Sequence, residues 1–141
     1  MTRVDFYVLQ KQALADRWFF ACRLVEKAVK QGNKVLIATE DESSTTELDK
    51  LLWSYSPESF VPHTILGQAG DQDSPVVISH ERDDENHHDV MVNLCLGIPP
   101  HFSRFKRVTE IVVQDQNVLA ATRKNYGYYN ERGYPVTTHK L

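Results

Sequence analysis

An α/β domain with a mostly parallel sheet flanked by helices is the fold this sequence predicts. Three observations carry that reading. Short apolar runs of strand length recur along the chain, among them VDFYVL (Val4 to Leu9) and KVLIAT (Lys34 to Thr39). Stretches with helical spacing lie between them. Glycine or proline stands at several of the joins. Strands that alternate with helices pair in parallel, because each helix carries the chain back across the sheet.

Val4 to Leu9 is the first predicted strand. Leu14, Trp18, Ala21, Cys22, Val25 and Val29 then recur at helical spacing, which predicts an amphipathic helix over residues 12–31. Gly32 and Asn33 stop it. Lys34 to Thr39 is a short apolar run of the buried-strand kind. Ser44 followed by Glu47 has the pattern of a capping box, and Leu48, Leu51 and Leu52 give the helix it opens an apolar face. PVVIS (Pro75 to Ser79) and DVMVNLC (Asp89 to Cys95) are further strands. Pro99 and Pro100 precede a helical turn, His101 to Lys106, with Phe102 and Phe105 turned inward. VTEIVV (Val108 to Val113) is another strand, and residues 115–131 form a last helix closed by Gly133. There is no internal repeat and no sign of a second domain. A single domain over residues 1–141 is long enough to bury a full core.

Composition narrows the class. With 41% apolar and 25% charged residues, the chain matches globular proteins in water. No apolar run approaches the length that spans a membrane, and MTRVDFYVLQ lacks the layout of a signal peptide. Cys22 and Cys95 both sit in apolar settings, so they are expected to be buried thiols. The expected location is the cytoplasm.

An α/β fold raises the question of a nucleotide. Glycines stand at 32, 67, 70, 97, 127 and 133, which forms neither a dinucleotide fingerprint nor a phosphate loop. Glu40, Asp41 and Glu42 follow a strand and could hold Mg²⁺, but three carboxylates leading into a helix also suit its positive end. His80, His87 and His88, with Asp83, Asp84 and Glu85, offer metal-binding side chains without a recognised spacing. That stretch is expected to be a charged, solvated loop. No serine elbow is present, and neither cysteine has a His or a cation close in sequence to activate it. The residue reading therefore favours a protein without catalysis and without a cofactor. The alternative is a small nucleotide- or phosphate-handling enzyme using Glu40 and Asp41.

Two features point to protein partners. LLWSYSPESFVPH (Leu51 to His63) places Trp53, Tyr55 and Phe60 around a Ser-Pro break, at a helix end and in the loop after it. Aromatics without nearby chemistry suit the centre of an interface, although on aromatic content alone the favoured reading is that they cap the core under a loop. Charge is also uneven. Residues 1–101 carry 9 Lys or Arg against 16 Asp or Glu, whereas residues 102–141 carry 7 against 3. A basic segment on an otherwise acidic chain fits an acidic protein better than DNA, which is met by basic proteins, and a solvated basic helix with no partner fits the sequence at least as well.

Four blocks resemble the chi subunits of bacterial DNA polymerase III holoenzyme, accessory proteins of the clamp-loader complex. They are VDFYVL; GNKVLIATEDESSTTELDKLLWSYSPESFVPH; DVMVNL; and ATRKNYGYYNERGYPVTTHKL. Together they span nearly the whole chain, with residues 67–88 matching poorly. The resemblance implies a Rossmann-like α/β domain with no catalytic activity of its own. It implies a heterodimer with the psi subunit, in which Trp53 and Phe60 are the partner-facing aromatic pair, with Val61 and Pro62 beside them. It also implies binding of the acidic C-terminal tail of single-stranded DNA-binding protein, which ends in Asp-Ile-Pro-Phe. The corresponding arginine and tyrosine are Arg123 and Tyr126. Nucleic acid is then met only indirectly, and an XPD-like repair helicase is implied as a competitor for the psi patch.

Residue chemistry agrees with that assignment. Arg123 and Tyr126 are three apart and share a face on a helix. A guanidinium clamps a terminal carboxylate through two hydrogen bonds. Tyr126 can wall a pocket for the terminal phenyl ring, and Lys124 and Arg132 would extend the positive field.

Overall fold

In a computed structural model, which describes residues 1–55, 61–80, 83 and 86–141, seven strands form one fully parallel sheet. The strands are β1 (Arg3–Val8), β2 (Val35–Thr39), β3 (His63–Ile65), β4 (Val76–His80), β5 (Val90–Asn93), β6 (Arg107–Val112) and β7 (Val136–Lys140). Their order is β3-β4-β2-β5-β6-β1-β7, and every pairing is parallel. Helices α1 (Leu14–Lys30), α2 (Glu42–Ser54) and α3 (Gln116–Glu131) supply the layers. The α/β fold is thus as expected, with a sheet that is parallel throughout rather than mostly.

Alternation along β1 assigns the helices to faces. Tyr7 meets Phe20 of α1 with ring centroids 5.5 Å apart. Phe6, on the other face, packs at 6.1 Å against Tyr129 of α3. Helix α2 contacts α1 and strands β2, β3 and β4, so α1 and α2 share one face and α3 covers the other. The central strands β2, β4 and β5 are almost wholly buried, which explains their unbroken apolar sequences.

Four local expectations change. The capping box at Ser44 and Glu47 is not the start of α2. Asp41 is the N-cap, and its side chain accepts a 2.8 Å hydrogen bond from the Ser44 amide. Leu14 is 53% exposed and does not join the core. The inward position of that first turn is taken by Arg17 instead. The strands β3 and β7 were not expected: β3 has only three residues, and β7 is a polar edge strand in which Thr137, Thr138 and Lys140 are exposed. Finally, the predicted turn at His101–Lys106 is a 3-10 turn over Phe102–Arg104, with Phe102 and Phe105 buried as expected. Gly133 closes α3 with φ of 78°, a conformation open to glycine.

Candidate functional site: two aromatic surfaces on opposite faces

The first surface is built at the end of α2. Leu48 and Leu52 point into the core and leave Trp53 on the outer side, 59% exposed. Its ring rests edge-on against His63, at 5.1 Å between centroids. The imidazole of His63 is itself fixed, with Nδ1 2.8 Å from the Val61 carbonyl and Nε2 3.2 Å from Asp49. Tyr55 is hydrogen-bonded to Glu26 of α1, which ties the helix end down. Trp53 is therefore a large ring held in place without being covered, and this settles against its being a core residue. Pro62 is exposed beside it. Val61 is a correction: it is 3% exposed, so its side chain supports the patch from beneath and does not face a partner. Phe60 lies outside the described residues.

The second surface is α3. Asp115 caps the helix by accepting from the amides of Asn117 and Val118, both at 3.1 Å. Val118, Asn125 and Tyr129 form its buried stripe. Arg123 and Tyr126 lie on one flank. Arg123 is exposed and has no hydrogen bond or ion pair among the described residues. Tyr126 is 44% exposed, its inner edge held by Phe6 at 5.7 Å. Lys124 and Arg132 do not converge with this pair. Lys124 is on the other flank with Tyr128, where both line a cleft. The Arg132 guanidinium sits 3.7 Å over the Tyr128 ring.

That cleft, of about 600 Å³, runs between α3 and the segment Leu96–Pro100. The Asn125 side chain donates to the Leu96 carbonyl at 2.8 Å and fixes one wall. Phe102 forms the base, packed edge-on against Tyr128 and Tyr129. The cleft was not legible in the sequence, since the segment that faces α3 is two prolines, a glycine and apolar side chains that carry no motif.

A buried polar cluster underlies α3. Glu110 of β6 is 4% exposed and accepts hydrogen bonds from Tyr129 (2.8 Å) and Asn93 (3.0 Å). Burial pushes its carboxyl up to about 7. Arg17 of α1 enters from the other face. Its guanidinium donates to the carbonyls of Ile111 (2.9 Å), Leu94 (3.0 Å) and Cys95 (3.2 Å). These carbonyls sit at the carboxyl ends of β5 and β6, where parallel strands leave acceptors unpaired. The one sequence signal was the carboxylate inside VTEIVV.

The residues of the enzyme alternative have other occupations. Glu40 accepts from the Leu96 amide at 2.9 Å, and Asp41 is the α2 cap, held below the usual carboxylate range by the Ser44 backbone N–H. Among the described residues no group of three or more His, Cys, Asp or Glu is placed to hold a metal ion. Cys22 is buried as expected, whereas Cys95 is only half-buried. Burial pushes both thiols up to about 12, far from a nucleophile's range. The histidine stretch is also corrected in part. His87 is fully buried, its Nε2 2.8 Å from the Ser74 carbonyl, so it anchors rather than floats. Arg104 bridges Asp83, the His87 carbonyl and His88. Asp84 and Glu85 lie outside the described residues.

Fold and surfaces together define a Rossmann-like α/β domain that presents fixed aromatics on both of its faces. The same fold is found in the crystal structure of T4 UvsW, with a TM-score of 0.69 at 7% identity over 99% of this chain and 41% of that one. It is also found in Mss116p DEAD-box helicase domain 2 bound to an RNA duplex, at 0.63 and 13% identity over 97% and 64%. The sequence is more specific. Residues 1–137 match the family described as DNA polymerase III chi subunit, HolC. The chain is 40% identical to DNA polymerase III subunit chi of Pseudomonas aeruginosa, over 100% of this chain and 98% of that protein. It is 28% identical to the Haemophilus influenzae subunit, covering 97% and 96%. It is 27% identical to that of Escherichia coli, covering 98% and 97%. The chain belongs to the chi-subunit family of DNA polymerase III, proteins of DNA replication.

Proposed function

We propose that this chi subunit is a bridge without a catalytic step of its own. On this reading it acts in the cytoplasm, within the clamp-loader complex. It holds a psi subunit through Trp53, Phe60 and Pro62, and the acidic C-terminal tail of single-stranded DNA-binding protein through Arg123 and Tyr126. The observation that carries the reading is the placement of the two surfaces. Trp53 stands on the α1–α2 face near the β3–β4 edge, and Arg123 and Tyr126 stand on the α3 face over β6 and β1. Two ligands so placed do not compete for space.

At the second surface the chemistry matches a peptide end. Arg123 brings a guanidinium without a partner among the described residues, which can take a terminal carboxylate through two hydrogen bonds. Tyr126 offers an aromatic wall for the last side chain. Lys124 and Arg132 supply the long-range field rather than the clamp, given their position on the far flank. An XPD-like helicase that competes for the Trp53 patch would displace psi and leave the tail bound.

Simultaneous binding tests the bridge. A labelled peptide ending in Asp-Ile-Pro-Phe is titrated by fluorescence anisotropy, with and without saturating psi. The expected outcome is the same peptide affinity in both titrations. Mutual exclusion would refute the bridge, and absence of peptide binding would refute the tail site.

A further inference from the structure

A second groove, of about 430 Å³, opens on the α1 face, between α1 and strands β1, β5 and β6. Its floor is apolar, with Val92 among its residues, and aromatic rings stand at one end. There Tyr7 stacks on His139 at 4.6 Å and 14°, and meets Phe20 at 5.5 Å. Its rim is cationic, formed by Arg23, Lys27 and Arg107. Arg23 and Lys27 are one helical turn apart, an arrangement that repels itself. Among the described residues neither has a carboxylate partner. Arg107 is paired to Asp5 at 3.2 Å, which holds its guanidinium at the rim. The Arg23 guanidinium lies 5.9 Å from the Phe20 ring centroid, over the aromatic end. Arg23 and Lys27 belong to the acidic part of the chain, so net charge by segment concealed their side of the rim.

We propose that this groove binds a nucleoside phosphate, with the phosphate at Arg23 and Lys27 and the base toward the apolar floor and its aromatic end. Three cations line the groove and Arg107 is paired to Asp5, so Arg23 and Lys27 leave net positive charge for a dianion. A phosphate satisfies that better than a single carboxylate does. The volume is that of a small-ligand pocket, and Gln31, Asn33 and Thr109 line it beside the three cations and the apolar side chains. The site stands apart from Trp53 and from Arg123, so it is independent of the bridging role. The ligand could be a free nucleotide or the phosphate of a single strand, and the two arms of the test separate them.

Ribose-labelled ADP is titrated with the full chain by fluorescence anisotropy, at low salt. Saturable binding is expected, weakened at least tenfold in the Arg23→Ala/Lys27→Ala double variant. Both substitutions sit on an exposed helix surface where alanine is a good helix former. Matching thermal melts would show that the double variant is folded. Lys50→Ala, which removes one equal charge from α2, should leave binding unchanged. In the second arm a single-stranded oligothymidylate competes with the probe. Displacement below the concentration of ADP needed assigns a strand, and the reverse assigns a free nucleotide. Absence of saturable binding overturns the proposal. So does equal affinity in the double variant, or equal loss in Lys50→Ala.

Discussion

Helix α2 and helix α3 both carry exposed aromatic side chains, but the two surfaces are built on different physics. At α2 a single large ring, Trp53, is supported by His63, which is fixed by a carbonyl and by Asp49. Such a surface offers area and shape. At α3 the ring of Tyr126 is half covered, and the exposed element beside it is a guanidinium. That surface offers charge with a short apolar wall. An apolar anchor loses its binding energy when the ring is truncated and barely responds to salt. A charge-led site loses it with one guanidinium and weakens as salt screens the field. Bridging requires that the two can be disabled separately, and the difference in chemistry makes them separable.

The largest effect is expected at α3. Arg123→Ala should weaken binding of the Asp-Ile-Pro-Phe peptide by about 2–5 kcal/mol, the cost of removing one member of a desolvated charge pair. Isothermal titration measures it, and a loss below that range would mean that Arg123 is not the clamp. Next is Trp53→Ala, expected to weaken psi association by about 2 kcal/mol or more. Because the ring is 59% exposed, the fold should lose about 1 kcal/mol or less. Denaturant melts check this, and a loss as large as that of a core aromatic would return Trp53 to the core.

A more graded effect, spread over pH, concerns the seat of α3. Glu110 lies beneath Tyr129 and its carboxyl is pushed up to about 7, from an ordinary value of 4.5, by burial. The folded chain therefore prefers the protonated form. Its contribution to stability is complete below pH 4.5 and is lost as pH rises to about 7, by up to roughly 3 kcal/mol. Glu110→Gln should flatten that slope in urea titrations at several pH values. An unchanged slope would show that the group is ionised in the fold. The smallest effect is the salt response, in which peptide binding weakens with added salt and psi binding changes little. Equal slopes for both ligands would remove the contrast between the surfaces.

The same contrast explains what could be read from the residues. β1, β2, β4, β5, β6 and all three helices were legible, because burial on one or both sides imposes a period on the sequence. β3 and β7 were not, since HTI is too short for a period and VTTHK lies exposed at the sheet edge. Trp53 was singled out by its place at a helix end, though only the fold shows that it is exposed, and Arg123 was singled out only by the resemblance. Composition alone separates neither an exposed tryptophan from a core one nor a proposed clamp from a solvated arginine. Arg17 was hidden for a different reason. Its partners are carbonyls of Leu94, Cys95 and Ile111, which have no side-chain signature and are far away in sequence. The Leu96–Pro100 cleft and the groove rimmed by Arg23 and Lys27 are likewise products of chain crossing, invisible until the strands are placed in order.

The central claim is that one small domain holds two ligands by two independent surfaces. The most direct measurement is a matrix of two variants against two ligands, with peptide and psi affinities determined for Trp53→Ala and Arg123→Ala in the same buffer. The account predicts that Trp53→Ala loses psi and keeps the peptide, and that Arg123→Ala loses the peptide and keeps psi. A variant that loses both ligands while its melting temperature stays at the wild-type value would contradict it, as would either variant retaining both.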